Sequence, residues 1–275
     1  MSNSQPGERQ PHEQEMMPYP KISIVTPSYN QGNFLEDTVR SVLEQGYPNL
    51  EYIIIDGGST DNSLDIIKKY SKRLAYYVSE RDRGQTEAIN KGLRRITGDV
   101  WSYLCSDDTL TDGTLRYCAE QFRTTGADII YGNCNFVTVD GIVSRVKHAR
   151  PFDRAQLLLD NFIWQPSVFL KRGLLDEFGY FDESLRYAMD YEYWLRVSRK
   201  ATFNYVNRTL SNYRLHIGSK TIGSTLEHVN EARQVKKKYG AGFRADWAYF
   251  NFRFWGLHSY RARRLLFEWL ARRKP

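Results

Sequence analysis

The chain has 275 residues, 41% of them hydrophobic and 14% aromatic, enough to fill a sizeable core and to exclude a disordered polymer. Its formal charge is +7, but residues 241–275 hold eight Lys/Arg against two acidic residues, so nearly the whole excess sits at one end. The near-neutral remainder excludes a general nucleic-acid-binding surface.

Residues 1–20 are polar, contain Pro6, Pro11, Pro18 and Pro20, and read as a disordered leader. A short β-branched strand is expected over Ile22–Thr26, stopped by Pro27. A turn, Ser28–Gly32, leads to a helix from about Phe34 to Gln45 with Leu35, Val39, Val42 and Leu43 on one face. Leu50–Ile55 is a continuous apolar run that suits a strand buried on both faces. The stretch Asp56–Asp61 follows, then a helix to about Tyr70, a strand over Leu74–Ser79, a charged loop Arg81–Gly84 and a helix over Gln85–Ile96. Val100–Cys105 is the next strand, ended by Ser106-Asp107-Asp108. This alternation predicts an α/β sheet with right-handed crossovers.

The second half is less regular. A hairpin is expected from Ala127–Val139 and Ile142–Lys147 around Asp140-Gly141. Helices are expected over Phe152–Leu159, Gly173–Phe178, Tyr187–Arg199 and Glu227–Tyr239, and strands over Pro166–Leu170 and Thr202–Val206. Cys105, Cys118 and Cys134 lack metal-type spacing and fit a reducing compartment. No apolar signal segment opens the chain, and no run nears the about 18 apolar residues of a membrane span, so a cytoplasmic protein is expected.

In parallel sheets, ligands bind outside the carboxyl ends of the strands. Three strand ends carry unusual residues: Thr26-Pro27-Ser28-Tyr29-Asn30, Asp56 with Asp61, and Asp107-Asp108. Two adjacent carboxylates repel unless something positive joins them, and a hard divalent cation carrying phosphate oxygens is a natural partner. Alone, the pair is equally a strand-end turn with an Asp helix cap. Asp56 can accept hydrogen bonds from a base or ribose, Tyr29 or Pro27 can pack on a nucleobase, and Arg83 can hold phosphate. The alternatives are an ordinary turn for Asp56–Ser59 and a solvated charge cluster around Arg81 and Asp82. Asp190 opens a helix beside Tyr187, Met189, Tyr191 and Trp194; a carboxylate buried there suits a general base. Glu192 is the other candidate, on a different side of that helix, and Asp190 as a plain cap is the alternative. His216 can complete a metal site. Arg214, Ser219 and Lys220 can meet phosphate.

Taken in order, these stretches resemble a family 2 inverting glycosyltransferase of the GT-A fold. The matching residues are T-P-S-Y-N at 26–30, I-D-G-G-S-T-D at 55–61, D-R-G-Q-T-E-A-I-N-K-G at 82–92 and L-C-S-D-D at 104–108. W-Q-P-S-V-F at 164–169, G-Y-F-D-E-S-L at 179–185, M-D-Y-E-Y-W-L-R at 189–196 and Y-R-L-H-I-G-S at 213–219 also fit. The resemblance covers residues 21–220. It implies a Rossmann-like mixed sheet flanked by helices, with 221–275 as a helical extension. It further implies that Thr26, Pro27, Tyr29, Asn30, Asp56 and Arg83 bind the nucleotide, with Asp107 near ribose and donor sugar. Asp108 and His216 would hold Mn²⁺ or Mg²⁺ on the diphosphate. Trp164, Gln165, Pro166 and Glu192 would line the donor or acceptor pocket, and Asp190 would deprotonate the acceptor. Two residues depart from the family pattern: Met189 where Glu is common, and Cys105 where Asn is common.

Such an enzyme would move a sugar from a nucleotide donor, a UDP-sugar by default, to a saccharide or lipid-linked acceptor of a surface polysaccharide or glycolipid. The Arg- and aromatic-rich residues 243–275 suit an interfacial helix on an anionic leaflet, at the inner face of the membrane. Helices packed on the catalytic domain, or an oligomer interface, are the alternatives. A nucleotidyltransferase would show a Gly-rich basic loop after the first strand, which Ser28–Gly32 is not. A non-catalytic sugar- or nucleotide-binding module would not need Asp107, Asp108, Asp190 and His216 together.

Overall fold

A computed structural model of the chain describes residues 19–216, 218–219 and 225–241. Four parallel strands come first: β1 (Ile22–Ser28), β2 (Leu50–Asp56), β3 (Tyr76–Ser79) and β4 (Val100–Tyr103). They are joined through α1 (Gly32–Leu43), α2 (Ser63–Tyr70) and α3 (Gln85–Leu93). Then follow β5 (Thr109–Leu110), α4 (Thr114–Thr125), β6 (Ile129–Val137), β7 (Val143–Lys147), α5 (Arg154–Leu159), β8 (Val168–Lys171), α6 (Gly173–Phe178), α7 (Met189–Val197), β9 (Phe203–Arg214) and α8 (Thr225–Lys238). The described residues build one nine-stranded sheet in the order β3-β2-β1-β4-β8-β6-β9-β5, with β7 beside β6. β8 runs antiparallel to β4 and β6, while β9 runs parallel to β6, so the sheet is mixed.

Alternation along the strands divides the interior into two cores. Ile22, Ile24, Tyr52 and Ile54 face Leu35, Val39 and Val42 of α1, Ile66 and Ile67 of α2, and Leu115 and Phe122 of α4. Val25, Ile53, Ile55, Trp101 and Tyr103 face Ala88, Ile89 and Leu93 of α3 and Tyr193 and Trp194 of α7. α3 lies so close to β1 that a Cβ on Gly92 would stand 2.3 Å from a Val25 methyl. Only glycine permits that approach.

Several elements differ from the sequence-based expectation. β1 continues through Pro27 to Ser28. Val25 O accepts from Leu104 N on the β4 side, so Pro27, two residues on, turns its missing N–H toward a flank where β4 has already ended. No ladder bond is lost there. β3 begins at Tyr76 rather than Leu74, and α4 was not anticipated. β9 runs to Arg214, well past the expected Val206, because it pairs with β6 and β5 across two irregularities in register. A 3₁₀ turn over Gln165–Ser167 takes the first part of the expected strand at Pro166–Leu170. No helix among the described residues is long and apolar enough to cross a membrane. Most of the expected leader, and the basic aromatic segment 242–275 with its membrane contact, lie outside the described residues.

At the sheet edge opposite the aspartates, Glu51 ties β2 to β1 and to the turn before β4. Its buried carboxylate accepts from Ser23 Oγ at 2.6 Å, Thr97 N at 2.7 Å and Thr97 Oγ1 at 2.6 Å, and pairs with Lys21 Nζ at 3.0 Å. Burial alone pushes this acid up, but the donors from Ser23, Thr97 and Lys21 outweigh it and hold it at about 2. Because the folded-state value lies below the ordinary 4.5, the stabilisation is complete above that pH and is lost as pH falls toward 2. Glu51→Gln, which turns an amide donor toward donors, is expected to cost about 2 kcal/mol in urea unfolding at neutral pH. The gap between wild type and variant should close as the pH is lowered through that window.

Candidate active site

The carboxyl ends of β1, β2 and β4 lie side by side, so the three unusual strand ends share one edge. After β1 the chain turns through Asn30, whose φ of 51° is the left-handed conformation that Asn tolerates. Asn30 N donates to Ser59 Oγ at 2.8 Å and Asn30 Oδ1 accepts from Thr60 N at 2.8 Å, binding this turn to the one after β2. Asp56 is fully buried and organises that second turn. It accepts from Gly58 N at 3.1 Å, Ser59 N at 2.9 Å, Ser59 Oγ at 2.5 Å and Ser79 Oγ at 2.6 Å. Thr26 is also fully buried, its hydroxyl 3.0 Å from the Tyr52 hydroxyl. Of the residues expected on the nucleotide edge, Thr26 and Asp56 therefore build the shelf, while Tyr29 is 61% exposed on it. Arg83 is exposed, and its guanidinium is shared between Glu87 at 3.0 Å and Glu183 at 2.7 Å.

Asp107 and Asp108 occupy the turn after β4. Asp108 is 1% exposed. Its Oδ1 accepts from Arg214 N at 2.9 Å, and its Oδ2 is buried without a hydrogen-bond partner among the described residues. Its backbone carbonyl accepts from Thr38 Oγ1 at 2.7 Å. Burial, then the neighbouring Asp107 charge, pushes the Asp108 carboxyl well above the usual range against the pull of Arg214. Asp107 Oδ2 lies 2.9 Å from His216 Nε2, and the imidazole packs on Phe34 with ring centroids 4.8 Å apart.

Arg214 is the clamp. It is buried, and its guanidinium donates to Asp107 O at 3.0 Å, Val139 O at 2.6 Å and Asp37 Oδ2 at 3.0 Å. It is thereby committed to protein groups rather than to the phosphate expected for it. Ser219 is buried and Lys220 lies outside the described residues. Cys105, Asp107 and Asp108 bring one ligand atom each within 4.8 Å of one another. A buried, unpartnered carboxylate oxygen next to a second carboxylate fits a divalent cation.

Asp190 lies in the first turn of α7, where Oδ1 accepts from Tyr191 N at 2.7 Å. Burial raises its carboxyl above the ordinary range, Tyr191 N and His228 oppose this, and Glu231 adds to it. The buried Tyr103 phenol is pushed far up by burial and by the nearby charges of Asp190, Cys105 and Asp108, so Asp190 is within electrostatic reach of the β4 end. Glu231 of α8 accepts from the N–H groups of Arg186 at 2.8 Å, Tyr187 at 2.5 Å and Ala188 at 2.6 Å, fixing the entry to α7. Gln165 donates from Nε2 to Tyr103 O at 2.7 Å. Pro166 is buried in the 3₁₀ turn, and Trp164 packs edge-on against Phe136 with centroids 5.5 Å apart.

Glu192 is a correction. The expected pocket residue is 1% exposed; it pairs with Arg196 one turn on in α7 at 2.9 Å and, toward the end of α8, with Lys238 at 3.1 Å, and accepts from the Tyr239 hydroxyl at 2.5 Å. Two positions along a helix separate its direction from that of Asp190.

Three supporting residues escaped the sequence. Thr38 and Glu231 carry no motif signal. Asn90 lies inside a matched motif, and its side chain bonds Phe181 N at 3.1 Å, Phe181 O at 2.9 Å and Glu183 Oε1 at 3.0 Å, holding the loop before α7.

A family model for Glycosyl transferase family 2 matches residues 23–175. The chain is 31% identical over 204 residues to the putative teichuronic acid biosynthesis glycosyltransferase TuaG of Bacillus subtilis, covering 71% of this chain and 79% of TuaG. Among solved structures it resembles S. aureus TarS 1–349 in complex with UDP-GlcNAc, with a TM-score of 0.67 at 18% identity over 85% of this chain and 73% of that one. It also resembles the mannosyltransferase PcManGT from Pyrobaculum calidifontis in complex with GDP-Man and Mn²⁺, with a TM-score of 0.62 at 18% identity over 80% of this chain and 64% of that one. The shared architecture is the mixed, helix-flanked sheet of the GT-A fold.

Removing the clamp should separate these parts. Arg214→Met leaves the carbonyls of Asp107 and Val139 and the Asp37 carboxylate without this donor, and is expected to cost about 2 kcal/mol in urea unfolding. The same variant should lose Mn²⁺-dependent stabilisation by UDP at temperatures where it is still folded.

Proposed function

The chain belongs to glycosyl transferase family 2, and from that premise we propose that it transfers a sugar, with inversion, from a nucleoside diphosphate donor to a saccharide hydroxyl. The observation that carries this is the buried Asp108 oxygen without a hydrogen-bond partner among the described residues, on the edge that three parallel strand ends share. A UDP-sugar is the first donor to test, since the TarS neighbour is a complex with UDP-GlcNAc. Tyr29 and Pro27, on the shelf that Asp56 and Asn30 build, would face the nucleobase, and Asp107 the ribose. Arg83 would meet the donor by exchanging one of its two glutamates for phosphate.

A divalent cation, Mn²⁺ or Mg²⁺, held by Asp108 with His216 beside Asp107, would neutralise charge on the leaving diphosphate. Asp190 would take the proton of the acceptor hydroxyl from the face opposite the diphosphate. One base without a placed nucleophile means a single displacement, which inverts the anomeric carbon. Trp164 and Tyr213 each pack on Phe136, bordered by Arg145 and Lys147, which suits an acceptor saccharide carrying negative charge. TuaG is named for teichuronic acid biosynthesis, and an acidic surface polysaccharide is accordingly the product class proposed here. A lipid-linked acceptor would suit the basic, aromatic residues 242–275 at an anionic cytoplasmic leaflet.

The test is a thermal-shift screen of UDP, GDP, dTDP and CDP with and without Mn²⁺. A ligand at 100 times its Kd stabilises by about 2.7 kcal/mol. UDP is expected to win only when Mn²⁺ is present. No metal-dependent winner would return the chain to the binding-module alternative.

For the base, Asp190→Asn should lower UDP release from UDP-GlcNAc in the presence of acceptor by about 10³-fold while leaving the UDP shift in place. Asp190 must be ionised to work and its carboxyl is raised by burial. Activity should therefore climb with pH through a limb lying above that of an ordinary aspartate, and the limb should vanish in the variant.

A further inference from the structure

We propose that Cys105 is a ligand of the divalent cation, so that this site takes thiophilic cations such as Co²⁺, Zn²⁺ and Cd²⁺ better than an all-oxygen site would. The inference rests on the proposed cation site at Asp108, which Asp107 adjoins, and adds a sulfur to it. Cys105 Sγ is one of the three ligand atoms that lie within 4.8 Å of one another. The second, independent sign is Asp108 Oδ2, an acceptor buried without a hydrogen-bond partner among the described residues in the same cluster.

Gln85 Nε2 lies 3.0 Å from Sγ and Gln165 Oε1 3.9 Å from it, so two side-chain amides flank the sulfur beside the aspartates. Cysteine binds metals through its sulfur as thiolate. Cys105 follows the apolar run of β4 directly, so the strand delivers it to the same edge as the aspartates. Thiolate is a soft ligand and carboxylate a hard one, and a mixed set shifts preference away from Mg²⁺ toward later and softer ions. As the metal–sulfur bond forms, the thiol proton leaves to solvent, and a divalent ion with two carboxylates and one thiolate carries a net charge of about −1.

The chain offers a clean readout. Cys118 and Cys134 are completely buried, and burial pushes the Cys134 thiol up to about 12 and Cys118 further still. A sulfur-to-metal signal therefore reports Cys105. Titration of the full chain with Co²⁺, nucleotide absent, should produce a near-ultraviolet sulfur-to-cobalt charge-transfer band that Cys105→Ser lacks. In competition, Cd²⁺ should displace Mg²⁺ from wild type with about tenfold greater advantage than from the variant. Should the variant fail to fold by circular dichroism, alkylation of the wild type decides instead: Cd²⁺ should protect one thiol, mapped to Cys105 by mass spectrometry, and Mg²⁺ should not.

The proposal is overturned by a wild type without the band, by a band that survives Cys105→Ser, or by alkylation that Cd²⁺ does not slow. A Mn²⁺-dependent UDP shift without the cobalt band leaves the donor site standing and removes the sulfur. A cobalt band without any UDP shift keeps the sulfur and removes the donor site.

Discussion

Two carboxylates set side by side in a dry turn are the constraint on which the second half of the chain depends. Asp107 and Asp108 end a strand whose neighbours leave Asp108 1% exposed, and neither burial nor the adjacent charge favours ionisation. The compensation arrives from 106 residues away in sequence. β9 returns along β6, pairs with the two-residue β5 just beyond the aspartates, and places Arg214 on the backbone of one and the carboxylate side of the other. His216, two residues on, takes Asp107. Arg214 compensates only in part, because one oxygen of Asp108 has no donor among the described residues. That remainder is what makes the turn a candidate cation site rather than a finished ion pair.

The candidate base is held by a separate set of contacts that leads back to the same strands. Glu231 gathers three backbone N–H groups ahead of α7, so the helix carrying Asp190 enters at a fixed angle. Asn90, on α3, holds the preceding loop through both backbone groups of Phe181. α3 in turn packs on β1 with only Gly92 between it and Val25. Asp190 is thus registered against the shelf at the ends of β1 and β2 through one helix. The position of a catalytic group is usually set by such supporting residues more than by its own contacts.

The first half of the fold was legible because each parallel strand is a run of buried residues followed at once by its own crossover helix. Pattern and structure are local there. β9 hid because its sequence, FNYVNRTLSNYR, is mostly polar. Its inner side chains pair through hydrogen bonds, Asn135 with Asn212 at 2.9 Å and Ser167 with Ser211 at 2.5 Å, and such pairs leave no hydrophobic alternation to read. α4 carries a helical stripe, Leu115, Cys118, Ala119 and Phe122, between Gly113 and Gly126. At the candidate site, residue identity pointed to the edge that the three strand ends share but could not divide shelf from surface: Thr26 and Asp56 are buried, Tyr29 is exposed. Nor could spacing foresee that Glu192 would meet Lys238 of a helix 46 residues later.

Asp108 and Asp190 are both raised by burial, yet the chemistry asks different things of them. Asp108 sits directly against the charge of Asp107, and the natural relief for its own charge is a cation. Asp190 lies near His228 and Glu231 of opposite influence, with its carboxyl above the ordinary range. A carboxylate that is costly to ionise without a metal and one that is a stronger base than usual form a complementary pair. Under the proposed reaction the first would suit charge leaving on a diphosphate and the second a proton leaving an alcohol. Such a separation would follow from the neighbours of each carboxyl, since the two side chains are chemically the same.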